Sequence, residues 1–490
     1  MRFRNLALPA LAALACLHPV SPARAVERPS VVLIMCDDLG WGDVGFNGGT
    51  HIRTPNLDEM AANGLKLNRF YAQCAVCSPT RASVVTGRHH DRVGIPNANA
   101  GHLHKHEFTI YEALGGLGYR TGHFGKWHMG TLTRETIEAN RGGPRGKKNY
   151  SPPWHHDVGT SFATESKTPT YDPMWRPAKG NGARKPSDVF DTFNGKGWNE
   201  IPEGAARELY NTFYWTGEET RVDPESETLM GDDSKVIMDQ ALPFIQAAAE
   251  SEEPFFSIVW FHAPHLPCVA SEEDAASYDD GQTSAFERNY YGCVTAVDRE
   301  VGRLRDHLRQ LGVADNTLVA FCSDNGPEGS NGAPGLQGRF RGRKRDLYEG
   351  GVRVPGLIEW PARIKPGETD SIACTVDYFP TLMEIMDFKM PDDRPIDGVS
   401  LMPLFTDSSV VRDQPLGFGY GSKAAWHDGP FKIIRQGAKA KWELYDLDAD
   451  PSESKDLASS QPERLGTMTK AWTNWSDSVD RSKAGADYPE

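Results

Sequence analysis

Residues Ser30 to Cys36 read Ser-Val-Val-Leu-Ile-Met-Cys and stop at Asp37-Asp38-Leu39-Gly40. A short unbroken apolar run is the pattern of a strand buried on both faces, as in a parallel sheet. Two carboxylates at its carboxyl end are costly unless something positive neutralises them. The pattern recurs. Thr317 to Ser323 is a second apolar run and ends in Asp324-Asn325-Gly326; a third, 255–261, ends in His262-Ala263-Pro264-His265. Open α/β sheets gather their sites at the carboxyl edge of the strands. The chain is therefore expected to be of the α/β class, a mostly parallel sheet sandwiched by helices. Asp37, Asp38, Asp324, Asn325, His262 and His265 should share one face of it. A single Asp after a strand is ordinarily a helix cap or a turn residue. Two such pairs in matching places argue for a site. Oxygen donors with no soft ligand suit a hard cation, Ca2+ or Mg2+.

Further along lies Cys77-Ser78-Pro79-Thr80-Arg81. Cys74 and Cys77 have CxxC spacing, which reads as a redox pair or half a metal site. Pro79 breaks the local pattern of a redox unit, and no second CxxC completes a zinc site. A cysteine with Pro two residues on and Arg four residues on resembles the core signature of type I sulfatases. That group includes arylsulfatases and N-acetylgalactosamine-6-sulfatases, within the alkaline phosphatase superfamily. The resemblance implies an alkaline-phosphatase-like fold. It also implies that a formylglycine-generating enzyme converts Cys77 to formylglycine, an aldehyde whose hydrate is the nucleophile.

Five more motifs carry the resemblance in the family's order, from about Pro29 to about Leu457. Asp37, Asp38, Asp324 and Asn325 resemble the protein ligands of a calcium ion, with modified Cys77 as a further oxygen ligand. Phe124-Gly125-Lys126-Trp127-His128-Met129-Gly130 resembles the second signature. By resemblance, Lys126 binds sulfate and His128 contacts the formylglycine hydrate. His265 stands near the leaving oxygen, Lys344 is the second sulfate-binding lysine and Arg81 holds the formylglycine. Cys36, just before the Asp pair, has no functional account. The tail departs from the family at Ser454-Lys455-Asp456, in a surface turn.

A sulfate monoester is already anionic, so a nucleophile meets repulsion. Two lysines and a divalent cation neutralise its oxygens and position sulfur, and the cation lowers the pKa of the attacking hydroxyl. By resemblance, Asp324 accepts that hydroxyl proton and His265, as imidazolium, protonates the leaving alcohol. His128 then takes the remaining hydroxyl proton, so that C–O cleavage regenerates the aldehyde.

Acidic residues number 67 against 53 Lys plus Arg, for a net charge of −14. That balance argues against nucleic acid or an anionic membrane as a partner. An anionic substrate must then meet local positive charge, and Arg339, Arg341, Arg343, Lys344 and Arg345 form one such patch, or else a solvated loop. Residues 1–25 read as a secretory leader, with Arg2 and Arg4, an apolar core over 6–17, then Ala23-Arg24-Ala25. Its loss, with three arginines, takes the charge to near −17. Cys16 fits a lipoprotein cleavage site poorly. No later segment offers the roughly 20 apolar residues of a spanning helix. The mature chain is expected to be exported, periplasmic or secreted. Its remaining cysteines show no disulfide framework.

A catalytic domain over 26–376 and a C-terminal subdomain over 377–490 are expected. In the latter, 424–426, 431–434 and 442–445 read as short antiparallel strands. Tyr290, Val294, Val297, Val301, Leu304 and Leu308 keep helical spacing, and Gly312 stops that helix. Over 131–233 periodicity fades. So long an irregular stretch usually carries function, and it is expected to shape the substrate pocket. Trp154, Trp175, Trp198 and Trp215 would either stack on sugar rings or pack the segment to the core. His102, His104 and His106 alternate as on a strand and are a remote zinc candidate. Taken together, the residues point to an exported sulfatase acting on a sulfated carbohydrate. The alternatives are a phosphonate or phosphodiester hydrolase of the same superfamily, a non-catalytic glycan-binding protein on a sulfatase fold, and a hydrolase using the unmodified Cys77 thiol.

Overall fold

The three apolar runs become three adjacent parallel strands. Ser30–Cys36 lies between Thr317–Ser323 and Phe255–Trp260, with Cys36 opposite Ser323 and Met35 opposite Trp260. Their side chains are buried on both faces, which is why none alternates in sequence. The computed structural model describes residues 28–142, 144–178, 196–330 and 332–488. The expected leader over 1–25, with Cys16, lies outside them.

Among the described residues, ten strands form one sheet. Arg120–Lys126 continues the parallel set beyond Phe255–Trp260, and Thr160–Thr164 continues it beyond Arg120–Lys126. On the other side the antiparallel strand Gly356–Glu359 separates Thr317–Ser323 from Leu65–Tyr71, which pairs in parallel with the edge strand Gly367–Cys374. Two groups of helices cover this sheet. One comprises Pro55–Asn63, Asp233–Glu250 and Ala285–Gln310; the other comprises Cys77–Thr86, Ile110–Gly116 and Tyr378–Ile385. The helix read from Tyr290 to Leu308 starts at a Ser284–Glu287 capping box and buries all six spaced residues.

The C-terminal sheet is a four-stranded antiparallel meander over Leu416–Tyr420, Lys423–Asp428, Phe431–Arg435 and Glu443–Asp446. One face packs on Tyr71, Leu347, Val352 and Cys374 of the large domain, and the helix Pro462–Lys483 covers the other. Phe379, Leu382, Leu401 and Phe405 belong to the core of the large sheet. These four lie on the C-terminal side of residue 377 and pack with the large sheet.

The stretch 131–233 is less irregular than its composition suggests. Its segments Thr160–Thr164, Tyr214–Gly217 and Thr220–Arg221 extend the large sheet. Of the two roles open to the tryptophans, packing to the core is the one most of them take. Trp175, Trp198 and Trp215 are 7%, 3% and 4% exposed, and half-buried Trp154 packs against the core. Trp215 Nε1 donates to Glu138 at 3.0 Å. His102, His104 and His106 lie outside any strand. His104 stacks on Tyr488 with ring centroids 4.3 Å apart, and the described residues put no metal-holding cluster there. No helix among the described residues is long and apolar enough to cross a membrane.

Candidate active site

Parallel pairing brings the ends of Ser30–Cys36 and Thr317–Ser323 side by side, so Asp37-Asp38 and Asp324-Asn325 meet. Asp324 Oδ1 accepts from Asp38 N at 3.2 Å, and Asn325 Nδ2 donates to Asp38 Oδ1 at 2.7 Å. All four are essentially inaccessible to solvent. Three cations answer the three carboxylates. Arg81 donates to Asp324 Oδ2 from Nε at 3.1 Å and from the terminal nitrogen at 2.6 Å, with Asp37 Oδ2 at 3.4 Å. Lys126 bonds Asp37 Oδ2. Lys344 lies 2.6 and 2.7 Å from the two oxygens of Asp38. Burial works against ionised Asp37, yet Lys126, His265 and Arg81 hold it well below the usual carboxylate range. Asp324 goes the other way, pushed up to about 7 by burial and by Asp37.

Local backbone fixes these positions. Asp38 and His128 adopt left-handed conformations, with φ of 66° and 56°. Such conformations cost about 1–3 kcal/mol and persist where surrounding bonds enforce them. Gly125 has φ of +101°, and a Cβ there would lie 2.0 Å from Trp260 O; only glycine can precede Lys126. Pro79 sits in the first turn of the helix Cys77–Thr86, where a missing N–H is harmless. That helix start places Cys77 against the cluster, with its sulfur within 4.8 Å of ligand atoms of Asp37 and Asp324.

The buried Cys77 thiol has its pKa raised, first by burial, and makes no hydrogen bond to a described residue. Burial thus disfavours the thiolate that an unmodified cysteine nucleophile needs, which counts against the thiol-hydrolase reading. Cys74 instead points to Gly419 O at 3.6 Å, and all seven described cysteines are free.

The two expected histidines part company. His265 Nδ1 bonds Leu266 O at 2.6 Å and turns Nε2 toward Asp38 Oδ2 at 3.6 Å. His262 leaves the site; its ring is held by Asp233 and Thr164, each at 2.7 Å. His128 is anchored through Nε2 to Asn140 Nδ2 at 3.0 Å, and Nδ1 has no partner. Burial holds both His128 and His265 well below the ordinary imidazole pKa.

The basic patch expected over 339–345 dissolves on folding. Arg343 clips its own loop through Glu328 O, Gln337 and two further carbonyls. Arg345 pairs with both oxygens of Glu328 at 2.6 and 3.0 Å, and Arg341 stacks on Tyr348. Of the five, Lys344 alone reaches the carboxylate cluster. Sequence reasoning also missed supporting residues. Arg141 spans Glu165 and Ser78, and Ser78 Oγ donates to the His128 carbonyl. Nothing in the sequence around Glu165 or Arg141 signals that role.

The cluster fits a divalent cation. Asp37 Oδ1 and Asn325 Oδ1 are buried with no hydrogen-bond partner among the described residues, an expensive condition that a hard cation relieves. Asp37, Asp38 and Asp324 would supply its charge-matched oxygens.

Comparison with known proteins agrees with this geometry. A model of the sulfatase family matches residues 29–388, and one of the N-sulphoglucosamine sulphohydrolase C-terminal region matches 338–471. Arylsulfatase A of Homo sapiens is 31% identical, over 91% of this chain and 82% of its own length. N-acetylgalactosamine-6-sulfatase of Rattus norvegicus is 29% identical, over 86% and 73%. The crystal structure of Ps i-CgsB in complex with k-i-k-neocarrahexaose has a TM-score of 0.73 at 25% identity, covering 92% of this chain and 93% of that one.

Proposed function

The chain belongs to the sulfatase family and is a sulfuric ester hydrolase, and we propose that it removes sulfate from a sulfated carbohydrate. The reading has Cys77 converted to formylglycine and a calcium ion held by Asp37, Asp38, Asp324 and Asn325. One observation carries it: buried oxygens of Asp37 and Asn325 lie unpartnered in a carboxylate cluster against Cys77 at a helix start. Similarity to an N-acetylgalactosamine-6-sulfatase and to a protein solved in complex with k-i-k-neocarrahexaose supports a sugar as the leaving group.

The calcium ion would supply charge neutralisation at the sulfate oxygens and acidify the nucleophile. The aldehyde hydrate would supply that nucleophile and a way to release sulfate without a second attack by water. The chain's own residues do the rest. Lys126 and Lys344 are rooted on Asp37 and Asp38 and present ammonium groups to the sulfate oxygens. Arg81, packed over the Trp260 ring at 5.0 Å, holds Asp324 and the Lys126 carbonyl and so fixes the bed beneath residue 77. With Asn140 donating to Nε2, the His128 ring proton sits on Nδ1. His128 therefore meets an oxygen on residue 77 as a donor; taking a proton there requires Asn140 to turn its carbonyl oxygen to Nε2. His265 gives its Nδ1 proton to Leu266 O, so Nε2 is the atom that gains and passes on the proton of the leaving alcohol. Burial and Lys344 keep that ring neutral at rest, and the negative ester favours its protonation.

The test is free sulfate released from a panel of sulfated oligosaccharides with calcium present and Cys77→Ala as the blank. Release from at least one member, absent in the blank, is expected. No release anywhere sinks the reading, and an intact thiol in the Cys77 peptide of active protein removes the formylglycine step.

A further inference from the structure

The strands ending at Thr164 and Trp260 lead into two loops that run side by side over the carboxyl edge. At one end Thr164 Oγ1 bonds His262 Nε2 at 2.7 Å. At the other, Thr170 Oγ1 donates to Val269 O and accepts from Val269 N, each at 2.7 Å. Between these ties, Lys167 occupies the middle of one loop and His265 the middle of the other. Lys167 is half-buried and lies in the electrostatic field of Lys344, Lys126, Asp38 and Asp37. It acts in turn on His265. Its ammonium nevertheless makes no hydrogen bond or ion pair with any described residue.

Every other cation at the site is answered. Arg81, Lys126 and Lys344 match Asp324, Asp37 and Asp38 one for one, and Arg345 matches Glu328. Lys167 is left over. A partly desolvated ammonium with no partner is unfavourable, and burial with the two neighbouring lysines holds its pKa below the usual lysine range. A scissile sulfate brings one negative charge, which Lys126, Lys344 and the proposed calcium ion take up between them. Balance at Lys167 requires another.

We propose that Lys167 is a specificity-determining residue that takes a second anionic group of the substrate, a carboxylate or a further sulfate. That group sits on the sugar bearing the scissile ester or on its neighbour. The inference rests on the sulfated-carbohydrate reading above. A charge-assisted hydrogen bond to the flexible ammonium recognises either anion without demanding the planar fit of a guanidinium.

The experiment compares kcat/KM of the wild type, Lys167→Met and Lys167→Arg on four probes. 4-Nitrophenyl sulfate and a monosulfated N-acetylhexosamine carry one negative group. A disulfated N-acetylhexosamine and a monosulfated disaccharide containing a uronate carry two. The readout is the preference for two charges over one. Lys167→Met is expected to lower that ratio about tenfold or more, and Lys167→Arg to restore most of it. The thermal midpoint should stay or rise, since an unpaired cation is lost. A drop with the disulfated sugar alone assigns a second sulfate, and with the uronate alone a carboxylate. An unchanged ratio overturns the proposal. So does an equal loss on both classes, which would put Lys167 on the scissile sulfate. If the wild type releases no sulfate from any probe, the functional reading fails while Lys167 remains testable by equilibrium binding. Cys77→Ala protein should then prefer the two-charge sugars and lose that preference when Lys167→Met is added. No preference, or one that survives, overturns the proposal.

Discussion

At the seam between the large sheet and the C-terminal sheet, Lys432 lies between Glu349 and Glu453, at 2.9 and 3.0 Å; at the carboxyl edge, three cations lie among Asp37, Asp38 and Asp324. Both clusters are buried, yet they are finished differently. In the seam each carboxylate oxygen lies against a protein group: Tyr71 OH donates to the second oxygen of Glu349 at 2.7 Å and Glu349 N to the second oxygen of Glu453 at 2.7 Å, while Glu453 Oε1, which accepts no hydrogen bond, is ion-paired with Lys432 at 3.0 Å. Apolar side chains from both sheets close around it. In the site, among the described residues, Asp37 Oδ1 and Asn325 Oδ1 have nothing to accept from, and Lys167 has nothing to donate to. The seam is complete as protein. The site is completed by what it binds, so its residues answer to turnover rather than to stability.

The sharpest way to break that contrast is a pair of substitutions. Asp324→Asn should cut sulfate release by about a hundred- to a thousand-fold. In metal-free protein it should lower the denaturant midpoint by less than the seam substitution does: Arg81 loses a charged partner but keeps an amide oxygen to donate to, and repulsion with Asp37 is relieved. Lys432→Met strands two buried carboxylates and should cost about 3–5 kcal/mol in urea unfolding, with turnover per folded molecule near wild type. The reverse result, an unfolded Asp324→Asn or an inactive but stable Lys432→Met, would erase the distinction.

Calcium gives the next largest effect. At a hundredfold excess over its dissociation constant it should add about 2.7 kcal/mol to unfolding. Lys432→Met should keep that increment and Asp324→Asn should lose most of it. A chelator that shifts neither midpoint nor activity would show that the unpartnered oxygens hold no ion.

The smallest effect is pH, and it belongs to the seam. His90 places its two ring nitrogens 2.9 Å from Ile95 O and from Gly419 O of the C-terminal sheet. Two acceptors ask for two protons. Burial opposes the charged ring, but Cys74, Asp91 and the Gly419 carbonyl outweigh it and raise its pKa to about 9 from an ordinary 6.5. A raised folded-state pKa means stability that is full below pH 6.5 and lost as pH climbs through 9. Midpoints measured across that window should fall for the wild type and flatten for His90→Gln. Equal slopes in the two proteins would contradict the assignment.

Legibility followed the kind of signal each region carries. The strands ending in Asp37 and Asp324 could be read because burial on both faces leaves an unbroken apolar run. Lys126, His128, His265 and Lys344 were legible through motifs, and the structure gathers them around that pair. His262 shared the same strand-end signal as His265, but a bond to Asp233, 29 residues earlier in the chain, takes it away. The four tryptophans could be read either as sugar-stacking or as packing residues, and burial of Trp175, Trp198 and Trp215 decides for packing in those three.

The sequence by itself determined that buried parallel strands would end in paired oxygen donors, since periodicity is a local property, and motif resemblance put Cys77 with them. Tertiary structure alone decided which charges cancel. Arg343 was spent on its own loop, Arg345 on Glu328 and Arg341 on Tyr445 and Glu453, while Lys167, on a loop with no motif, was left without a partner among the described residues, beside His265. Pairing depends on distances between residues far apart in the chain, and those exist only once the sheet has brought its edges together.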